Sequence, residues 1–232
     1  MCGRYTLATT PEMIAHSFDI RLDSFEFLPR YNIAPTQDVL TVINETWVKK
    51  TRMMRWGLIP FWARDTKVGA RMINARAETV ADNRAFKNAF QKRRCLILAD
   101  SFYEWKGTGK NKQPVRILLR SEEPFAFAGI WETWRDKSRP EAEPILSCSI
   151  ITTVPNLLVQ PIHDRMPVML PRELEPDWLD PDNQDTGLLR EILLPYDPGL
   201  LKTYEVSTQV NSARNQGPEL ILPLAQRPLI EP

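Results

Sequence analysis

The sequence predicts an α+β protein: a single domain, mainly antiparallel strands forming a curved or barrel-like sheet core with flanking short helices. Three observations carry that prediction. Short β-rich runs dominate the middle third of the chain, consecutive runs are joined by tight turns rather than crossover helices, and no linker or composition break divides the sequence. Twenty prolines against nine glycines add stiff, irregular connections and argue against a repeat.

From the N-terminus, Thr10 followed by Pro11 predicts an N-cap and first helical residue, with Ile14 and Phe18, four apart, on the buried face. "FEFLPRYNIAPTQ" is predicted as an irregular proline-rich loop. "VLTVI" and "WVKKTRMMRWGLIP" predict a strand and its returning partner, which runs into a turn. In "MINARAETVADNRAFKNAFQKRR", Phe86 and Phe90 stand at helical spacing before a basic cluster of the kind that suits a helix C-terminus. "CLILAD", "SFYEWKG", "PVRILLR", "FAFAGIWETW" and "PILSCSIITT" predict five short strands, and "KGTGKNKQP" turns the second into the third. "PRELEPDWL" and "TGLLREILL" predict two helices. "YEVSTQVNSARNQGPELI" predicts a strand followed by a loop that folds back onto the body. Residues 2–222 form the expected domain and 223–232 a tail.

Composition limits the functional classes. A chain of 232 residues, 43% hydrophobic and 25% charged, supports one substantial soluble core. No apolar run approaches the roughly 18–20 residues of a membrane span, and the N-terminus lacks a secretory pattern. A cytoplasmic protein without membrane association is expected, nucleoid-associated if bacterial. The net charge of +1 means that any phosphate-binding surface is local. Cys2, Cys95 and Cys148 form neither a CxxC pair nor a disulfide framework, so no metal and no cofactor are expected. Cys95 and Cys148 lie in apolar runs and are predicted as small buried hydrophobes. Cys2 differs: neither flank is strongly apolar, and removal of Met1 would give it a free amine and a thiol on adjacent carbons.

Several polar clusters interrupt apolar sequence. His16 falls in the first helix, where a solvated or packed role is expected. His163 lies in "PIHDRMPV", either a hydrogen-bonded network or a plain turn with an Asp–Arg pair. Glu104, in "SFYEWKG", either points to solvent or occupies an apolar pocket that would raise its pKa into the range of a general acid. Strand alternation puts Glu104 with Phe102 on one face, Tyr103 with Trp105 on the other. "MINARAET" offers Asn74, Arg76 and Glu78. "RMMRWGLIPFWARD" interleaves Arg52, Arg55 and Arg64 with Trp56, Phe61 and Trp62, which suits stacked bases and phosphates or a core with a charged rim.

"MCGRY", "RYNIAPTQ", "RWGLIPFWARD", "INARAET", "ADSFYEWK", "IHDRMPV" and "VSTQVNSARNQGPELI" together resemble, in order, the SOS response-associated peptidase family of abasic-site processing proteins. The resemblance runs from residue 2 to about residue 222. It implies a sensor of abasic sites in single-stranded DNA, with Cys2, Asn74, Glu104 and His163 catalytic. Cys2 would form a thiazolidine cross-link with the ring-opened sugar. Glu104 would serve as the acid–base group, His163 would assist at the sugar hydroxyl and in reversal, and Asn74 would hold the Cys2 amine or the sugar oxygen. Arg4, Arg76 and Arg165 match phosphate-clamp arginines, Pro35 and Trp62 positions near the bases, and Arg84 completes the DNA-contacting set. A monomer, with replication-fork proteins as possible partners, is expected. Self-removal of Met1 fits the peptidase name.

Two other readings stay open on sequence. Glutamine amidotransferases of the N-terminal nucleophile type also begin Met-Cys-Gly, although this chain lacks their asparagine–glycine turn. A non-covalent single-strand binding module would make Cys2 incidental.

Overall fold

In a computed structural model of the chain, residues 2–22, 28–109 and 112–224 are described. Met1, the start of the proline-rich stretch at 25–27, positions 110–111 of the predicted hairpin turn, and residues 225–232 of the tail lie outside them. The chain opens with β1 (Tyr5–Leu7), α1 (Pro11–Phe18), β2 (Arg30–Ile33), β3 (Asp38–Glu45) and β4 (Val48–Trp56). Then come β5 (Asn74–Arg76), α2 (Lys87–Lys92), β6 (Arg94–Ala99), β7 (Ser101–Lys106), β8 (Gln113–Leu119), β9 (Phe125–Trp134) and β10 (Ile145–Thr153). The last elements are β11 (Met166–Pro167), β12 (Met169–Leu170), α3 (Glu175–Leu179), α4 (Thr186–Glu191) and β13 (Leu201–Glu205).

Five strands close on themselves. β4 pairs with β3, β3 with β6, β6 with β9 and β9 with β10, all antiparallel. β10 then returns to β4 in parallel, Ser147 opposite Arg55 and Cys148 opposite Trp56. Closure removes the sheet edges and gives the barrel-like core that the sequence predicts. β5 and β11 extend from β10, and β12 from β9. A second, five-stranded sheet in the order β13-β8-β7-β1-β2 packs on the barrel. Tyr5 and Phe102 fasten the two layers: Tyr5 meets Trp56 and Phe127 edge-on at 5.3 and 5.6 Å, and Phe102 meets Phe127 at 6.0 Å.

Local signals hold where they are strong. Thr10 Oγ1 accepts from Met13 N–H, and Ile14 and Phe18 are buried beneath α1. His16 is exposed, and Cys95 and Cys148 are buried in β6 and β10. The proline-rich stretch differs from expectation, because Arg30–Ile33 is a strand paired with β1. Pro35 lies beyond this strand and opens a tight turn, Ala34–Gln37, with Thr36 at φ 71°. The Phe86–Phe90 helix is also shorter than its apolar spacing suggests, Phe86 being only its N-cap, while Asn74–Arg76 is a strand. Among the described residues no helix is long and apolar enough to cross a membrane.

Candidate active site

Cys2 reaches the site along β1. Tyr5 pairs with Phe102 and Thr6 with Ser101, and Tyr103 N–H donates to the Arg4 carbonyl at 2.9 Å, which carries Gly3 and Cys2 alongside Glu104. Cys2 is fully buried. Burial pushes its thiol far above the ordinary range, the nearby Glu104 charge pushes it further, and the Arg4 backbone N–H opposes them. The thiol is therefore protonated at neutral pH rather than a ready thiolate.

Asn74 arrives from the opposite layer. β5 runs parallel to β10 with Asn74 opposite Ile150, and Asn74 Nδ2 donates to the Cys2 carbonyl at 2.8 Å. Its Oδ1 is buried without a hydrogen-bond partner among the described residues, as is Oε1 of Glu104.

Glu104 is buried. Residues alternate along β7 as predicted: Phe102 joins the main core, while Tyr103 and Trp105 pack with Val206 and Val210. Only 2% of Glu104 is exposed, and burial raises its carboxyl to about 7. His163 Nε2 lies 3.9 Å from Glu104 Oε2. His163 Nδ1 accepts from the Arg165 backbone N–H at 3.0 Å, so the neutral ring carries its proton on Nε2, toward Glu104. The exposed Asp164 carboxylate also stands 3.0 Å from Nδ1. Burial lowers the imidazole pKa, which favours this neutral form. The site thus gathers Asn74 and Glu104 from two strands, Cys2 from the segment that leads into β1, and His163 from a loop.

The remaining predicted residues surround this centre in different states. Arg165 pairs with Glu78 rather than with Asp164, as the plain-turn reading required: its Nη1 and Nη2 donate to Oε1 and Oε2 at 2.6 and 2.9 Å. Arg76 is exposed on β5. Arg4 is half-buried, with Nη1 donating to Asn32 Oδ1 at 2.8 Å and to the Val210 carbonyl at 2.7 Å, and its guanidinium stands over Trp105. Pro35 is partly exposed at its turn. Trp56 is core, whereas Phe61 and Trp62 remain 54% and 43% exposed. Arg84 lies over the Trp62 ring, 5.5 Å from its centroid, in a cleft that Phe61 and Lys87 also line. Gly57 (φ 131°) lets this loop leave β4, since a Cβ there would stand 2.6 Å from the Gly69 carbonyl oxygen. The RMMRWGLIPFWARD stretch therefore combines both readings left open: a buried tryptophan, Trp56, and an exposed aromatic rim, Phe61 and Trp62.

Sequence reasoning missed Asn32. Fully buried, it accepts from Arg4 and donates through Nδ2 toward the carbonyls of Val210, Ser212 and Asn215 at 3.2, 2.9 and 2.9 Å. This side chain ties the Cys2-bearing segment to the loop after β13. Its one sequence signal is a polar residue inside "YNIA", a run otherwise able to bury itself. Among the described residues no cluster of His, Cys, Asp or Glu is arranged to hold a metal ion.

Comparison with known proteins gives a consistent result. The family model described as SOS response associated peptidase (SRAP) matches residues 1–213. The chain is 48% identical over 224 residues to abasic site processing protein YoqW of Bacillus subtilis (strain 168), covering 95% of this chain and 99% of that one. It is 31% identical over 233 residues to abasic site processing protein YedK of Escherichia coli (strain K12), covering 97% and 100%. The crystal structure of a protein from Bacteroides thetaiotaomicron superposes with a TM-score of 0.85 at 26% identity, covering 96% of this chain and 99% of that one.

Proposed function

The chain belongs to the SOS response associated peptidase family, and from that premise we propose that it processes abasic sites in single-stranded DNA by cross-linking them to Cys2. The observation that carries the reading is a buried carboxyl with a pKa of about 7, Glu104, facing a neutral histidine beside the Cys2 segment. A carboxyl near neutrality can both donate and accept a proton at physiological pH.

In this reading Met1 is removed first, turning the Cys2 amide nitrogen into an amine with a pKa of about 7.7–8.0. Protonated Glu104 donates to the ring oxygen of the abasic sugar while a water molecule takes the proton of the anomeric hydroxyl, which opens the furanose to an aldehyde and leaves Glu104 as the carboxylate. The neutral amine attacks C1′, and the resulting carbinolamine loses water to give an imine. The thiol then adds across that imine: sulfur bonds to C1′, the thiol proton passes to nitrogen, and a five-membered thiazolidine closes. A protonated thiol suits this order, since the amine acts first and sulfur follows. Asn74 holds the Cys2 backbone during the attack. His163 donates from Nε2 to a sugar hydroxyl.

The exposed Phe61–Trp62 rim with Arg84 and Lys87 supports a single strand over a duplex, because unstacked bases can lie on aromatic faces while phosphates meet cations. A monomer recruited near replication forks is the simplest form of this reading.

The test incubates processed protein with uracil-containing single-stranded DNA treated with a glycosylase, then separates products under denaturing conditions. The parent protein should give a shifted band. Cys2→Ser should give one only when borohydride reduces the imine, and Cys2→Ala none without that reductant. No band from the parent, or an equal unreduced band from Cys2→Ala, would sink the proposal.

A further inference from the structure

We propose that the Glu78 carboxylate is a placeholder for a DNA phosphate, occupying the Arg165 fork in the free protein and leaving it when a strand binds. This rests on the abasic-DNA reading above, and adds to it a residue that tunes binding at the same site.

The geometry is that of a bidentate anion pair. Arg165 Nη1 and Nη2 point at the two Glu78 oxygens at 2.6 and 2.9 Å, the arrangement by which a guanidinium grips a carboxylate or a phosphate alike. On its other side Arg165 is anchored, with Nη2 donating to the Thr152 carbonyl at 2.6 Å. The arginine side chain is 14% exposed and that of Glu78 is 47% exposed. An arriving anion therefore meets the carboxylate first and the fixed fork behind it. Glu78 lies just past β5 in a turn closed by Thr79 N–H to the Arg76 carbonyl at 3.1 Å, so its side chain can rotate away without breaking a sheet ladder.

Exchange also makes electrostatic sense. A phosphodiester gripped by Arg165 while Glu78 stayed in place would bring two anions onto one fork, which is repulsive. With the carboxylate displaced, the phosphate takes its charge compensation and exposed Arg76 stands beside the same path. In the free protein, meanwhile, Glu78 keeps Arg165 in position, and the Arg165 backbone N–H keeps His163 in its Nε2–H tautomer. The alternative is a permanent strut, in which Glu78 never moves and Arg165 never meets DNA.

The experiment measures non-covalent binding of an abasic-free oligothymidylate by the parent, Glu78→Gln, Arg165→Ala and the double variant, across a salt series. Glu78→Gln should bind roughly three- to tenfold more tightly at low salt, with a salt slope steeper by up to about one ion, because its fork is open. In the Arg165→Ala background the same change should have no effect. Unchanged or weaker binding by a Glu78→Gln protein that melts like the parent would overturn the placeholder. So would equal tightening in both backgrounds, which would mark a general charge effect. If Glu78→Gln melts early, Glu78→Ala and Glu78→Asp are compared in the same cycle, and a placeholder requires Asp to bind more weakly than Ala. Failure of the parent to cross-link abasic DNA would instead refute the functional reading, so the two outcomes are separable.

Discussion

His163 Nε2 stands 3.9 Å from Glu104 Oε2, side by side but too far for a direct hydrogen bond. The pair therefore holds its proton-handling groups apart, with Glu104 Oε1 and Asn74 Oδ1 both buried and unpartnered among the described residues. Such an arrangement costs stability, since each buried polar atom has lost water without gaining a partner.

That cost can be measured through Glu104. Its carboxyl ionises near 4.5 in the unfolded chain and near 7 in the fold. Between those values the native state keeps a proton that the unfolded state releases, so stability falls as pH rises through the window and levels off above about 7. Glu104→Gln removes this slope. The variant should match the parent near pH 4 and exceed it by on the order of 3 kcal/mol at pH 8, measured by urea denaturation. Its cross-linking should slow by about a hundredfold or more if the carboxyl is the acid–base group. A variant less stable than the parent at pH 8 would contradict the assignment of burial as the cause.

How far the sequence foretold this protein depends on whether the determining interaction was local. Thr10–Pro11, the alternation of Phe102 through Trp105, and the hairpin that joins β7 to β8 depend on neighbours in sequence, and each appears as expected; the links from β6 to β7 and from β8 to β9 instead change sheet, which no local pattern announced. The parallel closure of β10 on β4 was not legible, because it joins Trp56 to Cys148 across more than ninety positions with no turn to announce it. β2 was masked by its flanking prolines, Pro29 and Pro35, which bracket the strand instead of interrupting it. At the site, motif resemblance named Cys2, Asn74, Glu104 and His163. The choice between solvated and buried Glu104 still needed the second sheet, whose placement no local pattern encodes. Partners were harder still: Arg165 pairing with Glu78 rather than Asp164 is a fact of tertiary distance alone.

Asn32 gives the second prediction. Asn32→Ala leaves the Arg4 guanidinium without one acceptor and the carbonyls of Val210, Ser212 and Asn215 without their shared donor. Each abandoned buried group costs about 1–3 kcal/mol, so a loss of roughly 3 kcal/mol or more is expected in chemical denaturation. Asn32→Asp keeps the Arg4 contact but not the donors, and should recover only part of the loss. A change within about 0.5 kcal/mol for Asn32→Ala would show that the loop after β13 is held by other means.

The third concerns the β3–β4 turn, where Glu45 pairs with Val48 and the two residues between them, Thr46 and Trp47, adopt φ of 49° and 66°. Two left-handed residues in a two-residue hairpin loop make the type I′ turn, for which Asn-Gly is the favoured pair. A Cβ-bearing residue in that region costs about 1–2 kcal/mol, and threonine is branched at Cβ as well. Trp47 is 66% exposed, so little burial offsets the strain. The double change Thr46→Asn with Trp47→Gly should therefore stabilise the protein by about 1–2 kcal/mol, read as a shift in denaturation midpoint without a change in slope. Val48 to Trp56 spans nine residues, roughly 30 Å of strand between the turn and the end of β4 nearest the site, so cross-linking kinetics should be unaltered. Loss of stability instead would mean that the exposed indole, despite its exposure, contributes more through the contacts it makes than the turn loses to strain.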